Sequence, residues 1–136
     1  MEYIINYIID LTDEIYFKDH PSALSIYLHG GCYDLAKMLQ LLVSDSNVYV
    51  NYLSNHCVVE QDGFFYDASG LIKENIEEYH VATLADLKML EEYSKECVKG
   101  LRLYEIIGSK IKEKGAEKII KEQIRKELAN SARRVA

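Results

Sequence analysis

Three residues of this 136-residue chain have the types and the order needed for nucleophilic chemistry: Cys32, His56 and Asp67. A thiol attacks only as its thiolate, and a cysteine that opens a helix has its pKa lowered by free N–H groups and the positive end of the dipole. Cys32 occupies such a place. Leu35, Ala36, Leu39, Leu42 and Val43 recur after it at helical spacing, and Asp34 stands in the first turn, where a carboxylate suits the dipole. Gly30-Gly31 just before it permits a sharp turn and a close approach of backbone to a substrate. The Cys32 amide is then placed to donate to an oxyanion. The thiol needs a base, and His56 is the candidate.

Asp62-Gly63 between two β-rich runs is a two-residue hairpin signal, and it yields a register. Counting outward from the turn, Gln61 pairs with Phe64, Glu60 with Phe65, Val59 with Tyr66 and Val58 with Asp67. Parity then puts His56, Val58, Phe65 and Asp67 on one face and Cys57, Val59, Phe64 and Tyr66 on the other. His56 and Asp67 become diagonal neighbours within reach of each other, as an imidazole and its orienting carboxylate must be. The first face is expected to meet the start of the Cys32 helix, with Asp67 on the far side of the imidazole from the sulfur. Cys57 is expected to point away.

The elements that must hold these residues follow from periodicity. Ile4, Ile8, Leu11 and Ile15 mark an amphipathic helix over residues 2–17 that stops before Pro21. Residues 23–28 are short and ambiguous. Val48 to Leu53, His56 to Gln61 and Phe64 to Ala68 read as three antiparallel strands. Thr83 and Asp86 are spaced as a capping box, and a helical stripe of Leu87, Leu90, Cys97, Leu101, Tyr104 and Ile111 crosses Gly100 and Gly108. Residues 116–134 alternate Lys and Glu around Ile120, Ile124 and Leu128, as a solvated helix does. The expected fold is α+β. Residues 1–115 form the domain, and residues 116–136 form a basic amphipathic helix that is part of it or an interaction tail, so that deleting the tail leaves the fold intact.

Composition removes several function classes. Apolar residues make up 49% and charged residues 28%, with one proline, which describes a globular chain rather than a disordered one. No apolar run approaches the ~20 residues that span a bilayer, and no basic region precedes an apolar stretch at the start, so a cytoplasmic setting without membrane contact is expected. Three cysteines are too few and too odd for a disulfide framework and are expected reduced. His29-x-x-Cys32 with His56-Cys57 offers four zinc ligands. Adjacent strand residues face opposite sides, however, so no metal or other cofactor is expected. Residues 110–136 hold nine Lys and Arg against four Glu, so that with a net charge of −6 the rest of the chain carries about −11. That acidity repels phosphate and argues against nucleic acid. The tail is expected to dock on its own acidic body or on a second copy of the chain. The 11 tyrosines, with no Trp, read as rims of a core and a cleft.

His29-Gly-Gly-Cys-Tyr-Asp-Leu-Ala36, Asn55-His-Cys-Val-Val59 and Phe65-Tyr-Asp-Ala-Ser-Gly70 resemble the compact papain-like cysteine enzymes: the transglutaminase-like, NlpC/P60-like and arylamine N-acetyltransferase-like groups. The same residues resemble small proteins of bacteriophages and prophages that carry a Gly-Gly-Cys-Tyr, His-Cys, Tyr-Asp-x-x-Gly pattern. The resemblance implies a papain-like core in which a cysteine-bearing helix packs on a small antiparallel sheet. Cys32 matches the nucleophile, His56 the base and Asp67 the orienting acid. No glutamine precedes Cys32, so Tyr27 or His29 is expected to replace the side-chain oxyanion donor, and Tyr33 stands where a Trp is common. Tyr27, His29, Gly30, Gly31 and Tyr33 are therefore the expected substrate-binding residues. The implied activity is a thiol hydrolase or acyltransferase on an amide or thioester, its substrate a protein, a peptide or a small acyl compound. The alternative is a catalytically silent phage-encoded fold that binds or inhibits a host protein.

Overall fold

The computed structural model describes the backbone of residues 1–135 and the side chains of residues 1–133. Six helices and a five-stranded antiparallel sheet make an α+β architecture among these residues. The helices are α1 (Glu2–Tyr16), α2 (Ala23–Leu28), α3 (Cys32–Leu42), α4 (Leu84–Cys97), α5 (Leu103–Lys114) and α6 (Ala116–Val135). The strands are β1 (Asn47–Asn51), β2 (His56–Gln61), β3 (Phe64–Asp67), β4 (Gly70–Ile72) and β5 (His80–Val81).

The sheet runs β4-β3-β2-β1-β5. Its hairpin register is the one that parity dictates: Val59 opposes Tyr66, Glu60 opposes Phe65 and Gln61 opposes Phe64. Asp62 and Gly63 both have positive φ, 54° and 85°, which is the backbone of a type I′ turn and the reason Gly follows Asp there. Two short strands, β4 and β5, lie beyond the three that the pattern signals. Runs of two or three residues carry too little alternation to be read from sequence.

Val48, Val50, Cys57 and Val59 belong to the buried core together with Leu35, Ala36, Met38 and Leu39 of α3. The face that meets the Cys32 helix is thus the Cys57 face, opposite to the expected one. The other face carries Tyr49, Val58 and Phe65, where Tyr49 and Phe65 meet edge to face at 5.0 Å and Tyr79 lies against Phe65. Parity decides which residues share a face; it does not decide which face a helix covers. Here the aliphatic face took α3 and the aromatic face took the segment after β4.

Six residues make only a marginal helix, and α2 is held from outside. The Asp13 carboxylate of α1 accepts from the N–H groups of Ser22 and Ala23 at 2.9 and 2.8 Å, satisfying two donors at its start. The turn from α2 into α3 gives both glycines a packing reason. Gly30 has φ +116°, and a Cβ there would lie 2.7 Å from the Sγ of Cys97. A Cβ on Gly31 would lie 2.9 Å from the carbonyl oxygen of Ile26. Gly30→Ala is expected to destabilise the fold by roughly 1–3 kcal/mol through backbone strain and this clash, read as a lower urea midpoint. An unchanged midpoint would mean that α4 yields freely.

Thr83 caps α4 in a full capping box with Asp86, as its spacing indicates. The long stripe beyond is two helices, because Gly100 and Arg102 both adopt positive φ between α4 and α5, whereas Gly108 stays inside α5 and faces Met38 and Leu41 of α3. The C-terminal helix departs most from expectation. Ile119 is fully buried and Gln123 nearly so, while Leu128 of the expected stripe is 65% exposed. The inward face is rotated because α6 packs along α1, where Gln123 donates to Asp10 at 3.1 Å and Lys126 pairs with the same carboxylate at 3.1 Å. Its first turns complete the core; residue 136 of the expected tail lies outside the described residues. No helix is long and apolar enough to cross a membrane among the described residues.

Candidate functional site

Cys32 is the first residue of α3, with Gly31 as the N-cap and no side chain capping the helix start. Its amide therefore belongs to the free donors of the first turn. His56 is the first residue of β2, just after Asn55, which turns the chain with φ 55°. Asp67 is the last residue of β3. All three stand at ends of elements, and the ends converge at one edge of the interface between α3 and the sheet.

His56 Nε2 lies 3.0 Å from Asp67 Oδ2. Cys32 lines the same cleft as His56, and the imidazole helps to lower its thiol pKa. His56 borders the cleft that Cys32 lines from the end of its strand, although its face is not the one that covers α3. Asp67 is held in turn by Ser69, whose backbone N–H donates at 2.8 Å and whose hydroxyl donates to the same oxygen. The Asp67-x-Ser69-Gly70 spacing is a turn signature that foreshadows this contact.

Cys57, expected to point away, is a third partner. Its side chain walls the same small cavity as Cys32, and its thiol and backbone N–H act to lower the Cys32 pKa. Cys57 borders Cys32 from the core face and His56 from the strand end, so adjacent residues flank it on two sides.

Electrostatics favours an ion pair. The Cys32 thiol is lowered to about 5 by the hydrogen bond from Cys57, against the opposing effect of burial, and by the hydrogen bond and charge of His56. An S–H group is a weak donor, so the imidazolium is the partner that balances the charge. Burial works against protonation of His56, but Asp67 and the thiolate outweigh it and raise the imidazole to about 9. Burial also opposes ionisation of Asp67, and the bonds from His56 and Ser69 prevail to hold it below its ordinary value. Cys57 is pushed well above the usual thiol range by the thiolate beside it and by burial. These shifts favour a thiolate–imidazolium pair over the neutral pair near neutral pH.

Cys32 and His56 open onto a cleft of about 460 Å³ walled also by Leu28, His29, Gly30, Ser54, Asn55 and Tyr93. Of the expected substrate-binding residues, His29 and Gly30 line it. Tyr27 does not: it is fully buried, and its hydroxyl meets Thr12 Oγ1 at 2.8 Å, so it serves the packing of α2 on α1. Gly31 is turned against Ile26, and Tyr33 lies beside the Lys37 ammonium, 5.0 Å from the ring centre. Sequence reasoning missed Ser54, Asn55 and Tyr93. Asn55 had a signal in its place beside His56; Tyr93 had none, because α4 crosses over from far along the chain. Cys97, read as packing, does pack against Gly30 although it is exposed. No group of three or more His, Cys, Asp or Glu is arranged to hold a metal ion among the described residues.

A family model described as Phage YunG-like protein matches residues 8–121, a span that contains every residue of the site. No curated protein and no solved structure matches the chain.

Proposed function

The chain belongs to the phage YunG-like protein family, and from that premise we propose that it is a thiol hydrolase or acyltransferase acting on an amide or thioester through an acyl-Cys32 intermediate. One observation carries the reading: Asp67 holds His56 at 3.0 Å, and His56 lines one cleft together with Cys32 at the start of α3. A helix start beside an imidazole, at the wall of a cleft, is the setting that activates a thiol. The order of cysteine on a helix start, then histidine and aspartate on successive strands, also supports a papain-like core.

In the first step the Cys32 thiolate attacks the carbonyl carbon, and the oxygen becomes an oxyanion beside the Cys32 amide. His56 donates its proton to the leaving amine or thiol as the C–N or C–S bond breaks. Water or an acceptor nucleophile then gives a proton to His56 and attacks the thioester, and Cys32 leaves as thiolate. Asp67 keeps the imidazole oriented throughout. The substrate class is a protein, a peptide or a small acyl compound that fits the cleft.

p-Nitrophenyl acetate tests this. The expected result is a burst of nitrophenolate, an acetyl group on Cys32 in acid-quenched protein, and continued turnover that His56→Ala abolishes. Absence of an acetyl adduct on folded protein would overturn the reading. The second reading, a phage-encoded protein that engages a host protein without turnover, draws on Leu53 and Leu84, 88% and 87% exposed near the cleft's β1–β2 turn and at the start of α4. A stable acetyl adduct that never hydrolyses or transfers would favour it.

A further inference from the structure

The acyl-transfer chemistry has no use for a second thiol, yet Cys57 lies beside the nucleophile on the wall of one cavity. Cys57 is 1% exposed, and with Cys32 it walls a small cavity of about 10 Å³. Cys32 lines both this cavity and the open cleft, so it stands between solvent and Cys57. Both cysteines are free, and Cys32 lies near enough to raise the Cys57 thiol. Two thiols that wall one cavity of this size can reach the ~2.05 Å of a disulfide by side-chain rotation.

We propose that Cys32 and Cys57 are a reversible oxidation site, in which hydrogen peroxide converts the nucleophile and its buried neighbour into an intramolecular disulfide. The Cys32 thiolate attacks one peroxide oxygen and the O–O bond breaks. Hydroxide leaves as water with a proton from His56, and Cys32 becomes a sulfenic acid while the peroxide is reduced. Cys57 then attacks the sulfenic sulfur. The S–S bond forms, the S–O bond breaks, and the departing hydroxide takes the Cys57 proton as a second water.

The order of events follows from access and charge. Peroxide reaches Cys32 through the cleft and does not reach Cys57. While Cys32 is a thiolate it suppresses ionisation of Cys57; as a neutral sulfenic acid it no longer does, so oxidation of the first thiol frees the second to react. The site thereby protects its nucleophile from irreversible oxidation, whatever reaction the cleft performs.

The test uses the full chain and a readout independent of activity. Protein treated with about one equivalent of hydrogen peroxide is blocked with N-ethylmaleimide, digested without reductant and mapped by mass spectrometry. The expected product links the peptide holding Cys32 to that holding Cys57, and dithiothreitol restores both thiols. Cys97→Ala is expected to behave identically. In Cys57→Ala the same peroxide, in excess, is expected to drive Cys32 to a sulfinic acid that dithiothreitol does not recover. Sulfinic acid on Cys32 of the unaltered chain, a link from Cys32 to Cys97, links between chains, or thiols left untouched would each overturn the proposal.

Discussion

Near pH 6, iodoacetamide is expected to label Cys32 of the folded protein about tenfold faster than Cys97, although Cys97 is the more exposed. An ordinary thiol with a pKa of ~8.5 is about 0.3% thiolate at that pH, whereas a thiol lowered to about 5 is about 90% thiolate, a ratio of roughly 300. Nucleophilicity falls with pKa with a Brønsted slope of ~0.4–0.5, which removes about thirtyfold and leaves about tenfold. The labelling rate is expected to rise as pH passes upward through about 5, where Cys32 loses its proton, and to change again through about 9, where His56 loses its own and the pair loses its cation. Cys57 should remain unlabelled until the protein unfolds, because it is buried and its ionisation is suppressed by the neighbouring thiolate.

Variants separate the causes. His56→Ala should move the lower limb upward toward the ordinary thiol range, and only part of the way, since the Cys57 contacts and the helix start remain. Asp67→Asn should leave the lower limb nearly in place and lower the upper one, because the imidazolium loses its carboxylate. Labelling of Cys32 no faster than that of Cys97 would remove the ion pair, and the nucleophile with it.

Truncation after Gly115 is expected to abolish cooperative unfolding. Removal of α6 strips the fully buried Ile119 from the core and uncovers the face of α1 beneath it. Ile119→Ala alone should cost about 2–5 kcal/mol, as large-to-small changes at buried sites do. That is a large part of the ~5–15 kcal/mol that holds a domain of this size together. Lys126→Ala, which breaks a half-exposed ion pair to Asp10, should cost under ~1 kcal/mol. Urea titrations followed by far-ultraviolet circular dichroism measure all three. A truncated chain with an unshifted cooperative transition would make α6 an appendage, as its Lys/Glu alternation by itself indicates.

The basis of that expectation is instructive. Alternating charges around Ile120, Ile124 and Leu128 describe a helix with a narrow stripe, and a narrow stripe suits a solvated helix. In the folded chain Ile119 and Gln123 turn inward instead. The amide of Gln123 is affordable inside because Asp10 of α1 accepts from it, a partner 113 residues away that no local pattern reveals.

What the sequence determined by itself was whatever short-range stereochemistry decides. Asp62-Gly63 dictates a type I′ turn, the turn dictates the register, and the register brings His56 and Asp67 within 3.0 Å of each other. Gly30-Gly31 followed by an apolar helical stripe dictates a helix that opens on Cys32. Tertiary structure decided which side of the sheet that helix covers, and so whether Cys57 meets Cys32 or turns from it. It also sent Tyr27 into the core, brought Tyr93 to the cleft and rotated α6 onto α1. Each of these depends on burial of one surface against another distant in sequence. The hydrophobic effect that drives such burial is non-directional, so the shapes and areas of both surfaces choose the partner, and neither segment holds that information alone.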